Sequence, residues 1–170
     1  MTDEGAVGAG GTADDGADGR GLPAGAVYDW YVRGRTLLDS GNPEAAAELL
    51  SHAREHEPES ASVLETLARA LFDAHRYAEA EARFTELVET SPDDDYARFG
   101  LGLTRLRLGD LGGAVQQLAM AATMRPARVD YQQALREARA TVRARAAAGL
   151  DVDRVAPDEL AADPRPDEGR

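Results

Sequence analysis

Residues 61–94 read ASVLETLARALFDAHRYAEAEARFTELVETSPDD, and the marks of this stretch recur 34 residues to either side. Pro92 has counterparts at Pro58 and Pro126, Ala80 at Ala46 and Ala114, and Phe84 at Leu50 and Leu118. A period of this length signals stacked helical units, none of which can bury its apolar face alone. It sets an all-α expectation and moves the functional expectation from catalysis towards binding.

Aligned on the prolines, the units run over 27–60, 61–94 and 95–128, and each divides into two amphipathic helices. In the first unit a helix over 27–39 is broken by Gly41-Asn42-Pro43, where glycine supplies a left-handed cap and proline suits the next helix start. The third unit has Gly109-Asp110-Leu111 there, whereas the second has His75-Arg76-Tyr77 and is expected to carry strain. Second helices are predicted over 44–57, 78–90 and 113–124. Their apolar faces are Ala46, Leu49, Leu50 and Ala53; Ala80, Phe84, Leu87 and Val88; and Ala114, Leu118 and Ala121. The small Ala that opens each face lets two helix backbones approach, and the closing proline turns the chain into the next unit.

This pattern resembles the tetratricopeptide repeat family. Its slots read Trp30, Arg33-Gly34, Leu37, Ala46, Leu50, Ala53 and Pro58 in the first unit. They read Leu64, Leu67-Ala68, Leu71, Ala80, Phe84, Leu87 and Pro92 in the second, and Arg98, Leu101-Gly102, Arg105, Ala114, Leu118, Ala121 and Pro126 in the third. Arg33, Arg98 and Arg105 depart from the family's apolar slots. After Pro126 only first-helix character continues. Leu135, Ala138 and Val142 lie on one face of 129–148 and Arg136, Arg139 and Arg143 on the other, as expected of a helix that caps a solenoid. The expected fold is an all-α, right-handed α-solenoid of three helix-turn-helix repeats plus this capping helix, in a domain spanning 26–149.

The resemblance implies that first helices line a concave side that grips an extended or helical peptide. The facing slots are Tyr28, Tyr31, Arg35 and Leu38; Ser62, Glu65, Arg69 and Phe72; and Tyr96, Phe99, Leu103 and Leu106. Five of the nine aromatic residues fall among them, and aromatic and Arg side chains are frequent interface hot spots. The last four make one apolar stripe, expected either to meet a partner or to lie under the capping helix. A carboxylate clamp of Lys, Asn and Arg, used by many family members on chaperone tails, is absent. Its slots hold Tyr31 and Arg35, the chain has no Lys, and Asn42 is its one Asn. Arg35 and Arg69 remain able to hold a carboxylate, or to pair internally with Glu65.

The flanks differ from the repeats. Residues 1–25 are Gly-, Ala- and Asp-rich, 150–170 are rich in acids and proline, and both are expected to be disordered. The chain carries −12, two thirds of it in these ends, which disfavours nucleic acid and anionic membranes as partners. No Cys is present, so neither disulfides nor thiolate chemistry arise. No secretory leader and no spanning helix are expected, and a cytoplasmic location follows by default. All nineteen basic residues are Arg, as in a GC-rich, actinobacterial-looking bacterial genome.

Three features invite an enzymatic or nucleic-acid reading. His52-Ala53-Arg54-Glu55-His56 fits a His-x-x-Glu-His zinc pattern, but two histidines on a charged outer helix face lack the shaped cavity that catalytic zinc needs. Phe99-Gly100-Leu101-Gly102 contains Gly-x-Gly inside a predicted helix with no strand before it, which is no phosphate loop. Arg136, Arg139, Arg143 and Arg145 make the capping helix basic, but in an otherwise acidic chain. The expectation is a non-catalytic protein without metal or cofactor that binds a peptide or helix of another protein. The alternative is a homodimer that buries the stripe of Tyr96, Phe99, Leu103 and Leu106.

Overall fold

The computed structural model describes residues 25–152, and every regular element among them is a helix. In order these are α1 (Ala26–Asp39), α2 (Pro43–His56), α3 (Ala61–Asp73), α4 (Tyr77–Thr90), α5 (Asp95–Leu108), α6 (Leu111–Met124) and α7 (Val129–Ala147). The expected tails lie outside the described residues, apart from Gly25 and residues 150–152. The second helices begin at Pro43, Tyr77 and Leu111, 34 residues apart. Each start is one or two residues earlier than apolar periodicity suggests, because the residue after the turn already enters the helix.

The turns keep the same register. Gly41 and Gly109 take left-handed φ of 79° and 82°, and His75 between them takes 62°. His75 is the one non-glycine residue with positive φ among the described residues, so the expected strain is present. Its Nδ1 lies 2.8 Å from the Tyr77 hydroxyl, a local contact that holds the turn.

Consecutive helices pack antiparallel-fashion in pairs and then pair to pair. In addition the backbones of α1 and α3, α3 and α5, and α5 and α7 approach one another, whereas neighbouring second helices reach each other through side chains. First helices therefore converge on an inner wall and second helices splay on an outer one, which is the curvature of a solenoid. The close approach rests on small residues. Ala46, Ala80 and Ala114 are fully buried. A β-carbon on Gly34 would stand 2.6 Å from Leu50 Cγ, and one on Gly102 would stand 2.7 Å from Leu118 Cγ. One apolar cluster runs from Leu38 in α1 to Leu101 in α5, and a second joins α6 and α7 through Leu118, Ala121, Tyr131, Leu135 and Ala138.

The arginines in apolar slots are accommodated at the margins. Arg98 donates twice to the Pro92 carbonyl (2.9 and 2.6 Å), and Arg105 pairs with Glu81 (3.1 Å) and reaches Asp110 (3.7 Å). Arg33 is exposed. Cross-repeat ion pairs, Arg54 with Glu86 and Arg76 with Glu48 (2.7 Å), tie neighbouring outer helices together. The capping helix is anchored by Tyr131. Its ring is fully buried and stacks on Phe99 at 4.3 Å, and its hydroxyl donates to Asp95 Oδ2 at 3.0 Å.

Candidate functional site

The inner wall holds two hollows. The first, about 280 Å³, lies at the amino-terminal end, where Val27, Tyr28 and Tyr31 of α1 face Ser62 and Val63 of α3 and the connecting Glu57 and Ser60. Tyr28 is 68 % exposed, a large ring left in solvent at the mouth of a cavity. Tyr31 is half-buried, and the Arg35 guanidinium lies 5.9 Å from its ring centroid.

The second hollow, about 160 Å³, lies between α3 and α5. Arg69, Phe72 and Asp73 form one side, Tyr96, Phe99, Gly100 and Leu103 the other, and Phe84 of α4 is the floor. The floor exists because Gly100 has no side chain: its β-carbon would fall 2.3 Å from Phe84 Cε1. Arg69 stands at the rim, 3.8 Å from both Asp39 and Asp73. Glu65, one turn earlier on α3, is in no ion pair among the described residues, and Arg69 pairs internally with Asp39 and Asp73 instead. Crowding in the groove, and then the charge of Asp94, hold the Glu65 carboxyl above the usual range, against a smaller opposing pull from Arg69. Burial likewise raises the Tyr96 hydroxyl, which lies within the fields of Arg69, Glu65, Asp73 and Asp94.

Of the twelve residues in facing slots, the central hollow gathers Arg69, Phe72, Tyr96, Phe99 and Leu103, and the amino-terminal hollow gathers Tyr28, Tyr31 and Ser62. Arg35 and Glu65 stand exposed between them. Leu38 is a correction. It is 5 % exposed, packed in the core with Ala46 and Leu50, and offers no surface to the wall. The stripe is also less open than its spacing suggests, since Phe99, Leu103 and Leu106 pack against the α6–α7 cluster. Leu106 lines neither inner hollow. Asp73 and Gly100 belong to the central hollow but were not expected there. The i, i+4 spacing of Arg69 and Asp73 was a usable signal for the first.

A wider, shallow hollow of about 500 Å³ lies between the α4–α5 connection and α6, lined by Pro92, Arg98, Met120 and Met124 among others. It holds none of the expected residues, and Arg98 there is occupied by the Pro92 carbonyl and Gln117. His52 and His56 close on Trp30, with ring centroids at 4.3 and 5.3 Å, rather than standing free on an outer face. Among the described residues no three His, Cys, Asp or Glu side chains gather as a metal-binding group.

Paired helices in 34-residue register, with first helices forming an open inner wall, define an α-helical repeat solenoid. A tetratricopeptide repeat family model matches residues 37–94 and 71–138, and the chain belongs to that family, whose domains are protein-interaction modules. No curated protein matches the sequence. Solved structures share the fold at low identity. The first tetratricopeptide domain of Spaghetti (RPAP3), bound to the HSP90 peptide SRMEEVD, is 16 % identical with a TM-score of 0.65, covering 71 % of this chain and 96 % of that one. MamA (41-end) from Desulfovibrio magneticus RS-1 is 18 % identical with a TM-score of 0.68, covering 74 % and 71 %. PcrH, in complex with the chaperone-binding region of PopB, is 18 % identical with a TM-score of 0.59, covering 71 % and 97 %.

Proposed function

We propose that the chain is a non-catalytic recognition module that holds a peptide or helix of another protein along the inner wall. The observation that carries this is the pair of aromatic-lined hollows on the face where first helices converge, neither filled by the array's own packing. Exposed Tyr28 and half-buried Phe72 and Tyr96 offer rigid apolar area, and Arg35, Glu65 and Arg69 supply charge to fix the register. The structures bound to an HSP90 peptide and to a region of PopB support the same use of a similar fold. An affinity near micromolar, about −8 kcal/mol, suits one such segment.

A homodimer through Tyr96, Phe99, Leu103 and Leu106 is the lesser reading, because the α6–α7 cluster already takes up three of the four side chains. Sedimentation across a hundredfold range of concentration separates the two, and a constant monomer removes the dimer. The Lys-free, Arg-only composition supports a bacterial source; a cytoplasmic setting is a separate part of the proposal. No described helix is long and apolar enough to cross a membrane.

The function is tested with peptides selected from a random displayed library on the intact chain. The double variant Tyr28→Ala, Arg69→Ala removes one exposed side chain from each hollow and leaves the core alone. Lost capture with unchanged helicity supports the inner wall as the site, and unchanged capture rejects it.

A further inference from the structure

We propose that the central hollow takes one large apolar side chain from a basic segment of a partner, and that an Arg or Lys beside that anchor pairs with Glu65. This rests on the recognition reading above and adds the partner's chemistry. The size of the hollow sets the anchor. At about 160 Å³ it matches a single large side chain, since a dry cavity of about 150 Å³ accepts a benzene ring. Its walls are Phe72, Phe84, Tyr96, Phe99 and Leu103, so the guest is apolar.

The charges around that mouth set the flank. Among the described residues Arg69 is the one cation lining it, and it is shared between Asp39 and Asp73 at 3.8 Å each. The Asp94 side chain accepts from the Ala97 amide at 2.9 Å and is committed to capping α5. Arg35, on α1, lies over Tyr31. Glu65 is left as an exposed carboxylate in no ion pair among the described residues, repelled by Asp94 and drawn less strongly by Arg69. A guest cation there relieves like-charge repulsion, whereas a guest carboxylate adds to it. The chain's net charge of −12 steers the same way over longer range. The wall thus favours basic segments, in contrast to a clamp built from cations for carboxylates.

The test uses a phage-displayed library of random peptides selected on the immobilised full chain. Enriched peptides should carry Arg or Lys within about one helical turn of a Leu, Phe or Trp. For such a peptide Glu65→Gln should weaken binding roughly fivefold, the size of a partly exposed ion pair. The charge reversal Glu65→Lys should move selection towards acidic peptides. If the enriched peptides are acidic at that place, or bind Glu65→Gln and wild type equally, the basic partner is refuted. Sensitivity to Tyr28→Ala, Arg69→Ala would in that case keep the inner wall as the site. Insensitivity to those changes as well, or no enrichment at all, overturns both readings.

Discussion

Gly100 of α5 lies directly on the ring of Phe84 of α4: a β-carbon there would stand 2.3 Å from Cε1 and 2.4 Å from Cζ. The contact joins the second repeat to the third and shapes the floor of the central hollow. The Gly100 carbonyl also accepts from the Thr104 hydroxyl at 2.7 Å, and Thr104 is the buried polar side chain of this layer. Gly100→Ala should therefore destabilise the fold by about 1–2 kcal/mol. The overpacking cost of about 1–3 kcal/mol exceeds the gain of up to about 1 kcal/mol in helix propensity. Urea unfolding followed by circular dichroism measures the difference, and a stabilised variant would contradict this packing.

His75 occupies the left-handed slot that Gly41 and Gly109 fill in the neighbouring repeats. His75→Gly should raise stability by about 0.5–1 kcal/mol, since glycine adopts positive φ without a steric penalty. Loss of the contact between His75 and Tyr77 limits the gain. A thermal melt of the two proteins provides the check, and a lower midpoint for the glycine variant would contradict the strain.

Tyr131 fastens the last helix through its ring on Phe99 and its hydroxyl on Asp95. Tyr131→Ala should cost about 3–5 kcal/mol through the cavity it leaves. Tyr131→Phe, which keeps the ring, should cost about 1 kcal/mol. Amide exchange in α7 should accelerate far more in the first variant than in the second.

The same link makes stability depend on pH. Arg125, whose Nε donates to Asp95 Oδ1 at 2.8 Å, and then the Tyr131 hydroxyl hold the Asp95 carboxyl below its usual range. A depressed carboxyl contributes stability above its unfolded value and loses that contribution as pH falls through the folded one. Below about pH 4 wild type should thus lose stability more steeply than Asp95→Asn. At the other end burial, and then Asp95, push the Tyr131 hydroxyl up to about 12. Its contribution is whole below about pH 10 and fades as pH rises through about 12. Acid and alkaline denaturant titrations of Asp95→Asn and Tyr131→Phe measure both limbs.

The repeat register was legible because it depends on residues whose role is local. A proline ends a helix, a glycine turns it, and an alanine marks where backbones meet, whatever else surrounds them. Gly34 against Leu50 and Gly102 against Leu118 follow from that register alone. The wall was legible in part. Tyr28 and Leu38 share a predicted face, but ten residues of helix carry Leu38 about 80° around the axis from Tyr28. That rotation turns Leu38 into the core, and the equivalent Phe72 and Leu106 are partly buried for the same reason. Tyr131 was missed as an anchor because its partners, Phe99 and Asp95, are more than thirty residues away in sequence and no periodicity links them.

The inner wall as the binding face is tested most directly by amide chemical-shift mapping on the intact chain, titrated with a peptide selected from the displayed library. The account predicts that the shifts concentrate in α1, α3 and α5 around Tyr31, Arg69 and Tyr96. Shifts concentrated instead around Met120 and Met124, at the outer hollow, would contradict it.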